Sequence, residues 1–175
     1  LYTDQRVEKV CQTLLQNGYD VELIGNDWAG NFPMERPYPF YLIPLKAKTL
    51  KLAYPEFQLK LYQELKKRAG KDCIILSNDL ETIMPSYKVS KDLGIPMVFD
   101  SHEIFTEMPT ITGRWVQHIW KWIEKTYLPK MKNMIAASDS YADWFVKEYQ
   151  IKRPVVVRNL PKRQKVEVIN SSGKK

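Results

Sequence analysis

Histidine and cysteine are scarce in this chain, two of each among 175 residues. His102 and His118 are too few for a multi-histidine metal centre, and Cys11 and Cys73 form no metal-ligand spacing. Both thiols fall on predicted core faces of different elements, which suits a reducing, cytoplasmic setting. No apolar run approaches the ~20 residues of a membrane-spanning helix, and no signal peptide opens the chain. G-x-G-x-x-G, the P-loop and G-x-S-x-G are all missing, so no dinucleotide or NTP phosphate cradle and no nucleophile elbow is encoded. Repeats and low-complexity segments are missing too.

What is present fits one soluble domain: 44% hydrophobic residues are enough for a full core, and 27% charged residues is ordinary. The net charge of +7 is local. Residues 158–175 carry +5 and residues 114–132 carry +4, leaving the rest of the chain slightly acidic. Basicity confined to one helix and one tail argues against nucleic acid, which calls for a basic stripe interleaved with stacking aromatics.

Hydrophobic periodicity predicts a helix over about 3–17, with Val7, Val10, Cys11, Leu14 and Leu15 inward, Asp4 near the N-cap and Gly18 as terminator. Residues 21–25 read as a strand, 26–39 as a Pro-rich loop, and 40–45 as an edge strand limited by Pro44. A helix over 50–69 turns Leu52, Phe57, Leu61 and Leu65 inward, with Pro55 delaying or kinking it. Strands at 73–76, 96–99, 134–137 and 155–157 then alternate with helices at 82–93, 114–130 and 138–149. This alternation predicts an α/β fold, a doubly wound parallel sheet in three layers. Such a unit starts on a strand, so a strand of about five residues is expected upstream of Leu1. From Lys162 onward the chain turns polar and basic, as a linker or tail does.

Two polar clusters follow directly on the apolar runs: Ser77-Asn78-Asp79, and Asp100-Ser101-His102-Glu103. In parallel sheets ligands bind beyond the carboxyl ends of the strands, where both clusters fall. His102, flanked by carboxylates, suits a proton shuttle or a hydrogen-bond donor to a sugar hydroxyl. Asp79 is expected first of all to cap the next helix, and Asp100, Ser101 or Glu103 could cap the segment that follows them. On the helix over 114–130, Val116, Ile119, Trp120, Ile123 and Tyr127 share one stripe and should face the sheet. Trp115, His118 and Trp122 lie on its flank beside Arg114, Lys121 and Lys125. Indole rings beside lysines suit a membrane interface or lipid-linked acceptor, or packing under a loop or a further domain.

With these residues the chain resembles the N-terminal domain of a GT-B glycosyltransferase, in particular bacterial members of glycosyltransferase family 4. The likeness spans about residues 1–161. It rests on Thr3-Asp4-Gln5-Arg6-Val7, Leu76-Ser77-Asn78-Asp79-Leu80, Phe99-Asp100-Ser101-His102-Glu103 and Val157-Arg158-Asn159-Leu160-Pro161 in that order. It implies a cytoplasmic enzyme that moves a sugar from a nucleotide-sugar to a glycan or lipid-linked acceptor, with retention and without metal or other cofactor. This domain would be its acceptor-binding half, 162–175 a linker, and a second domain would hold the donor. His102 and Glu103 are then the catalytic candidates. Asn78, Asp79, Asp100, Ser101 and Asn159 would bind substrate, and Trp115, Trp122, Lys121 and Lys125 would form an acceptor or membrane surface. A stand-alone Rossmann-like binding module and half of a GT-B sugar-nucleotide epimerase are the alternatives.

Overall fold

The computed structural model describes residues 5–26 and 35–161. The expected cap at Asp4, the middle of the 26–39 loop and the tail from Lys162 lie outside them. Gln5–Gln16 forms α1, whose Val7 and Cys11, one helical turn apart, are buried against Leu23 and Tyr38. Gly18 ends this helix region at φ +82°, a left-handed conformation that costs glycine least. β1 (Leu23–Asn26) and β2 (Phe40–Ile43) pair in parallel, and Pro44 closes β2 as expected.

The chain then runs through α2 (Leu50–Arg68), β3 (Ile75–Asn78), α3 (Leu80–Leu93), β4 (Met97–Ser101) and a 3₁₀ turn (Phe105–Glu107). It continues through α4 (Trp115–Tyr127), β5 (Met134–Ala136), α5 (Asp139–Tyr149) and β6 (Val155–Val156). β3, β4, β5 and β6 lie side by side in chain order, every ladder parallel. Parallel neighbours require a crossover between them, and α3, α4 and α5 supply it. The result is the expected α/β/α arrangement of parallel strands under helices, although β1–β2 and β3–β6 form two separate ladders among the described residues. The main core gathers Ile83, Phe99, Trp120, Ile123, Leu128 and Phe145 around the larger sheet. Ser138 caps α5, its hydroxyl accepting from the Tyr141 N–H at 3.2 Å.

Several expectations give way to the packing. Leu52 is 65% exposed, and Ala53 takes the inward place beside Phe57 and Leu61. Leu50, Leu52 and Leu59 spread apolar residues around α2, so the pattern alone points no single way. Pro55 does not delay α2, which begins at Leu50. Cys73 is exposed rather than buried, because β3 begins only at Ile75; the Cys73 sulfur accepts from the Gly70 N–H at 3.2 Å.

On α4, Ile119 is exposed while Gln117 and Glu124 are buried. A polar network explains this rotation. The Thr106 hydroxyl donates to the Glu124 carboxylate at 2.9 Å, the Tyr149 hydroxyl bonds the same oxygen, and the Gln117 amide donates to the Thr106 carbonyl at 2.8 Å. Buried polar groups must be paired, and here the pairing outweighs the apolar stripe in setting the helix face. Burial lifts the Glu124 carboxyl above its usual range, although the hydroxyls of Tyr149 and Thr106 pull the other way.

Candidate functional site at the strand ends

The carboxyl ends of β3 and β4 meet through the register pair Asn78↔Asp100. Ser77, Asn78, Asp100 and Ser101 therefore lie inside the strands, and the exits proper begin at Asp79 and His102. This corrects the placing of both clusters wholly beyond their strands. The ladder extends further than the apolar run because polar side chains do not interrupt backbone pairing.

Asp100 is 1% exposed and its charge is met from α1. The Arg6 guanidinium donates to it twice, Nη2 to Oδ1 at 2.5 Å and Nε to Oδ2 at 3.3 Å. The third guanidinium nitrogen, Nη1, donates to the Val157 carbonyl at 2.9 Å, just past β6. A planar fork of this kind matches a carboxylate with two bonds, which lysine cannot do. One buried side chain thus ties α1, β4 and the closing segment together. Lys9, one turn further along α1, donates to the Asn159 side-chain oxygen at 2.8 Å and to the Leu160 carbonyl at 2.9 Å. Asn159 is exposed and belongs to this strap, not to the strand-end cluster.

Asp79 sits at the N-cap position of α3 but does not cap it; no hydrogen bond runs from its side chain to the helix. Its φ of +58° turns the carboxylate away, a conformation that costs a non-glycine residue on the order of 1–3 kcal/mol. Its backbone N–H is held by the Asp100 carbonyl at 2.9 Å. The carboxylate faces His102 instead. Oδ1 accepts the His102 backbone N–H at 3.0 Å, and Oδ2 lies 3.3 Å from the imidazole Nδ1. The other ring nitrogen, Nε2, lies 3.5 Å from Asp100 Oδ2, an ion-pair contact longer than a formed hydrogen bond.

The imidazole is therefore clamped between two carboxylates. Burial alone would lower its pKa, but Asp100 first and Asp79 second more than offset this and lift it above 6.5. For Asp100, burial pulls upward, and the contacts from His102 and Arg6 outweigh it, holding the carboxyl below 3.8. The signs follow by linkage. The His102 contribution to stability is complete below 6.5 and is lost as pH rises through its raised folded value. That of Asp100 is present above 3.8 and is lost as pH falls through its lowered folded value. The two carboxylates thus shift the imidazole toward its cationic, hydrogen-bond-donating form relative to a free imidazole.

The remaining expected residues stand apart from this cluster. The buried Ser101 hydroxyl donates to the Glu103 carbonyl at 2.8 Å and shapes the turn. The Glu103 side chain is exposed, with no hydrogen bond or ion pair among the described residues. The Asn78 carbonyl accepts the Thr82 hydroxyl at 2.7 Å. Trp115 and Trp122 are 60% and 61% exposed, Lys51 lies over the Trp115 ring, and Lys121 pairs with Glu107 at 2.9 Å. Lys125 is exposed one turn beyond Lys121. Arg6 is the residue that sequence reasoning passed over as a partner for Asp100. Its one visible signal is a cation directly before Val7, beside the apolar stripe of α1. No group of three or more His, Cys, Asp or Glu side chains among the described residues is disposed to hold a metal ion.

A family model described as Glycosyltransferase Family 4 matches residues 4–160. No curated protein matches the chain.

The clasp can be weighed by a double-mutant cycle. Arg6→Met leaves the Asp100 charge buried without its main partner and should cost about 3–5 kcal/mol in urea denaturation. Arg6→Met with Asp100→Leu should recover most of that loss. A loss of less than about 1 kcal/mol in Arg6→Met would mean that water, not Arg6, carries the Asp100 charge.

Proposed function

Because the chain belongs to glycosyltransferase family 4, we propose that it is the acceptor-side domain of a retaining glycosyltransferase. In this reading a sugar passes from a nucleotide-sugar to a glycan or lipid-linked acceptor at the cytoplasmic face of a bacterial membrane. The observation that carries the proposal is the imidazole of His102, clamped between Asp79 and Asp100 at the carboxyl edge of a parallel sheet. Ligands of open α/β sheets bind at that edge. A protonated imidazole there can donate to a sugar hydroxyl or to a phosphate oxygen as charge develops on it.

The two contacts of the ring differ in what a substrate could displace. Asp100 is sealed and bound to Arg6, so the carboxylate beside Nε2 is fixed in place and closed to substrate. Asp79 has a 31% exposed side chain and a longer-than-ideal contact to Nδ1, so a substrate oxygen would compete for that proton. Glu103, next in sequence, is exposed, and in this reading it meets substrate rather than holding the fold. Asn78 would act beside Asp79, and Ser101 would act by holding the 101–103 turn.

Binding of the donor is assigned in this proposal to a second domain working against this edge. The acceptor-side assignment therefore predicts a weak response to free donors. Titration calorimetry with UDP-glucose and GDP-mannose should give dissociation constants no tighter than about 1 mM. Low-micromolar binding of either nucleotide-sugar would contradict the division of labour.

The α4 flank supports a surface role. No helix among the described residues is long and apolar enough to cross a membrane. Trp115, Ile119 and Trp122 are exposed beside Lys121 and Lys125, and Leu50 and Leu52 are exposed near the Lys51–Trp115 contact. Large apolar groups ringed by lysines suit an anionic lipid surface. Liposomes containing anionic lipid should retain the protein at low salt and lose it at about 0.5 M salt, where the Debye length has shrunk below ~5 Å. The Trp115→Ala, Trp122→Ala double variant should be retained severalfold less. Equal retention of that variant would remove α4 from the membrane-facing surface.

A further inference from the structure

Beside the His102 cluster, across the N-terminal ends of α2 and α3, lies a cleft of about 210 Å³. Asn26 at the end of β1, Leu45 beyond β2, Leu50, Tyr54 and Phe57 of α2, and Glu81 of α3 line it. The rim is held in place: Glu56 accepts the backbone N–H groups of Lys46 and Ala47 at 2.8–3.1 Å, and Lys60 donates to the Pro44 carbonyl at 2.6 Å. Two aromatic rings, an amide and a carboxylate around one small space are the groups a pyranose ring needs. Ring C–H faces pack on aromatics, and hydroxyls bond carboxylate and amide. The volume exceeds the ~150 Å³ that accepts a benzene, and it fits one sugar ring but not a disaccharide.

Glu81 has no hydrogen-bond or ion-pair partner among the described residues. Burial, with Asp79 two residues away adding like charge, pushes its pKa up to about 7. Among the described residues none supplies the donor that normally accompanies a buried acid. Tyr54 is the other titratable side chain facing it, and its own pKa is raised by burial and by the Glu81 charge. At the rim Leu50 is 58% exposed, and the next residue, Lys51, reaches over the exposed Trp115 ring.

We propose that this cleft binds the uncharged sugar ring of a single-sugar glycolipid, with Glu81 accepting its hydroxyls and the exposed Leu50 at the rim meeting the alkyl chain. The inference deepens the acceptor-side reading and rests on it only in calling this ligand the acceptor. Asp79 joins the two places, since it contacts His102 on one side and repels Glu81 on the other. A sugar hydroxyl held by Glu81 would lie at the same sheet edge as the imidazole.

The probes are octyl β-glucoside, octyl β-galactoside and octyl β-mannoside below their micelle concentrations, with the matching methyl glycosides and octanoate as comparison arms. Backbone amide shifts in the 175-residue chain report binding. At least one octyl glycoside should saturate shifts at residues 50–57 and 81, at least tenfold tighter than its methyl counterpart. Octanoate should bind more weakly, since its carboxylate meets Glu81. Glu81→Leu should weaken the octyl glycoside about tenfold, the size of a lost charge-assisted hydrogen bond. Leu50→Lys, at an exposed rim position, should erase the octyl advantage without touching the core. The proposal is overturned if no octyl glycoside outbinds its methyl counterpart, or if binding survives both Glu81→Leu and Leu50→Lys unchanged. Binding is read without transfer, so failure here and tight nucleotide-sugar binding in calorimetry are separate results.

Discussion

A guanidinium and a carboxylate buried against each other impose the constraint around which this domain is arranged. Asp100 cannot remain charged at 1% exposure without Arg6, and Arg6 reaches it only if α1 crosses the carboxyl edge of β4. The same side chain bonds the Val157 carbonyl, so α1 and the segment after β6 are fixed relative to each other across the chain. Replacing such a pair by hydrophobic residues is often neutral for stability, so its value here lies in geometry. With Asp100 kept ionised, protonation of the imidazole beside it is favoured, and the pKa of His102 is raised by a residue that is almost wholly shielded from solvent.

A second consequence runs through Asp79. Held at φ +58° by its N–H bond to the Asp100 carbonyl, it gives up the capping role its position offers and turns to His102. The helix loses a cap worth roughly 1 kcal/mol, and the strand edge gains a second carboxylate on the imidazole. That same charge bears on Glu81, which is already raised by burial. Two carboxyls so close differ in their surroundings: Asp79 contacts the His102 imidazole, while Glu81 has no hydrogen-bond or ion-pair partner among the described residues.

How much of this was legible in the sequence follows from the range of each interaction. Val7 and Cys11, Ile123 and Trp120, and the runs ending at Leu76 and Phe99 announce themselves by local periodicity, and the α/β order follows from them. The family resemblance rested on short motifs in order, and the match over residues 4–160 covers the same span. Apolar residues spread around both helices, so periodicity turns Ile119 and Leu52 to the wrong faces, and on α4 the Glu124–Thr106–Tyr149 network joins Trp120 and Ile123 in setting the buried face. Arg6 and Asp100 lie 94 residues apart, and no local pattern pairs one cation with one of many carboxylates. Glu81 carried no signal at all, since an acidic residue in the first turn of a helix is ordinary.

The two carboxylates of the strand-end cluster raise the pKa of His102. An NMR titration of the imidazole Cε1 proton, assigned by its loss in His102→Gln, measures this directly. The account predicts a midpoint above 6.5, moving down when Asp79→Asn removes one of the two flanking charges. A midpoint at or below 6.5, unmoved by Asp79→Asn, would contradict it.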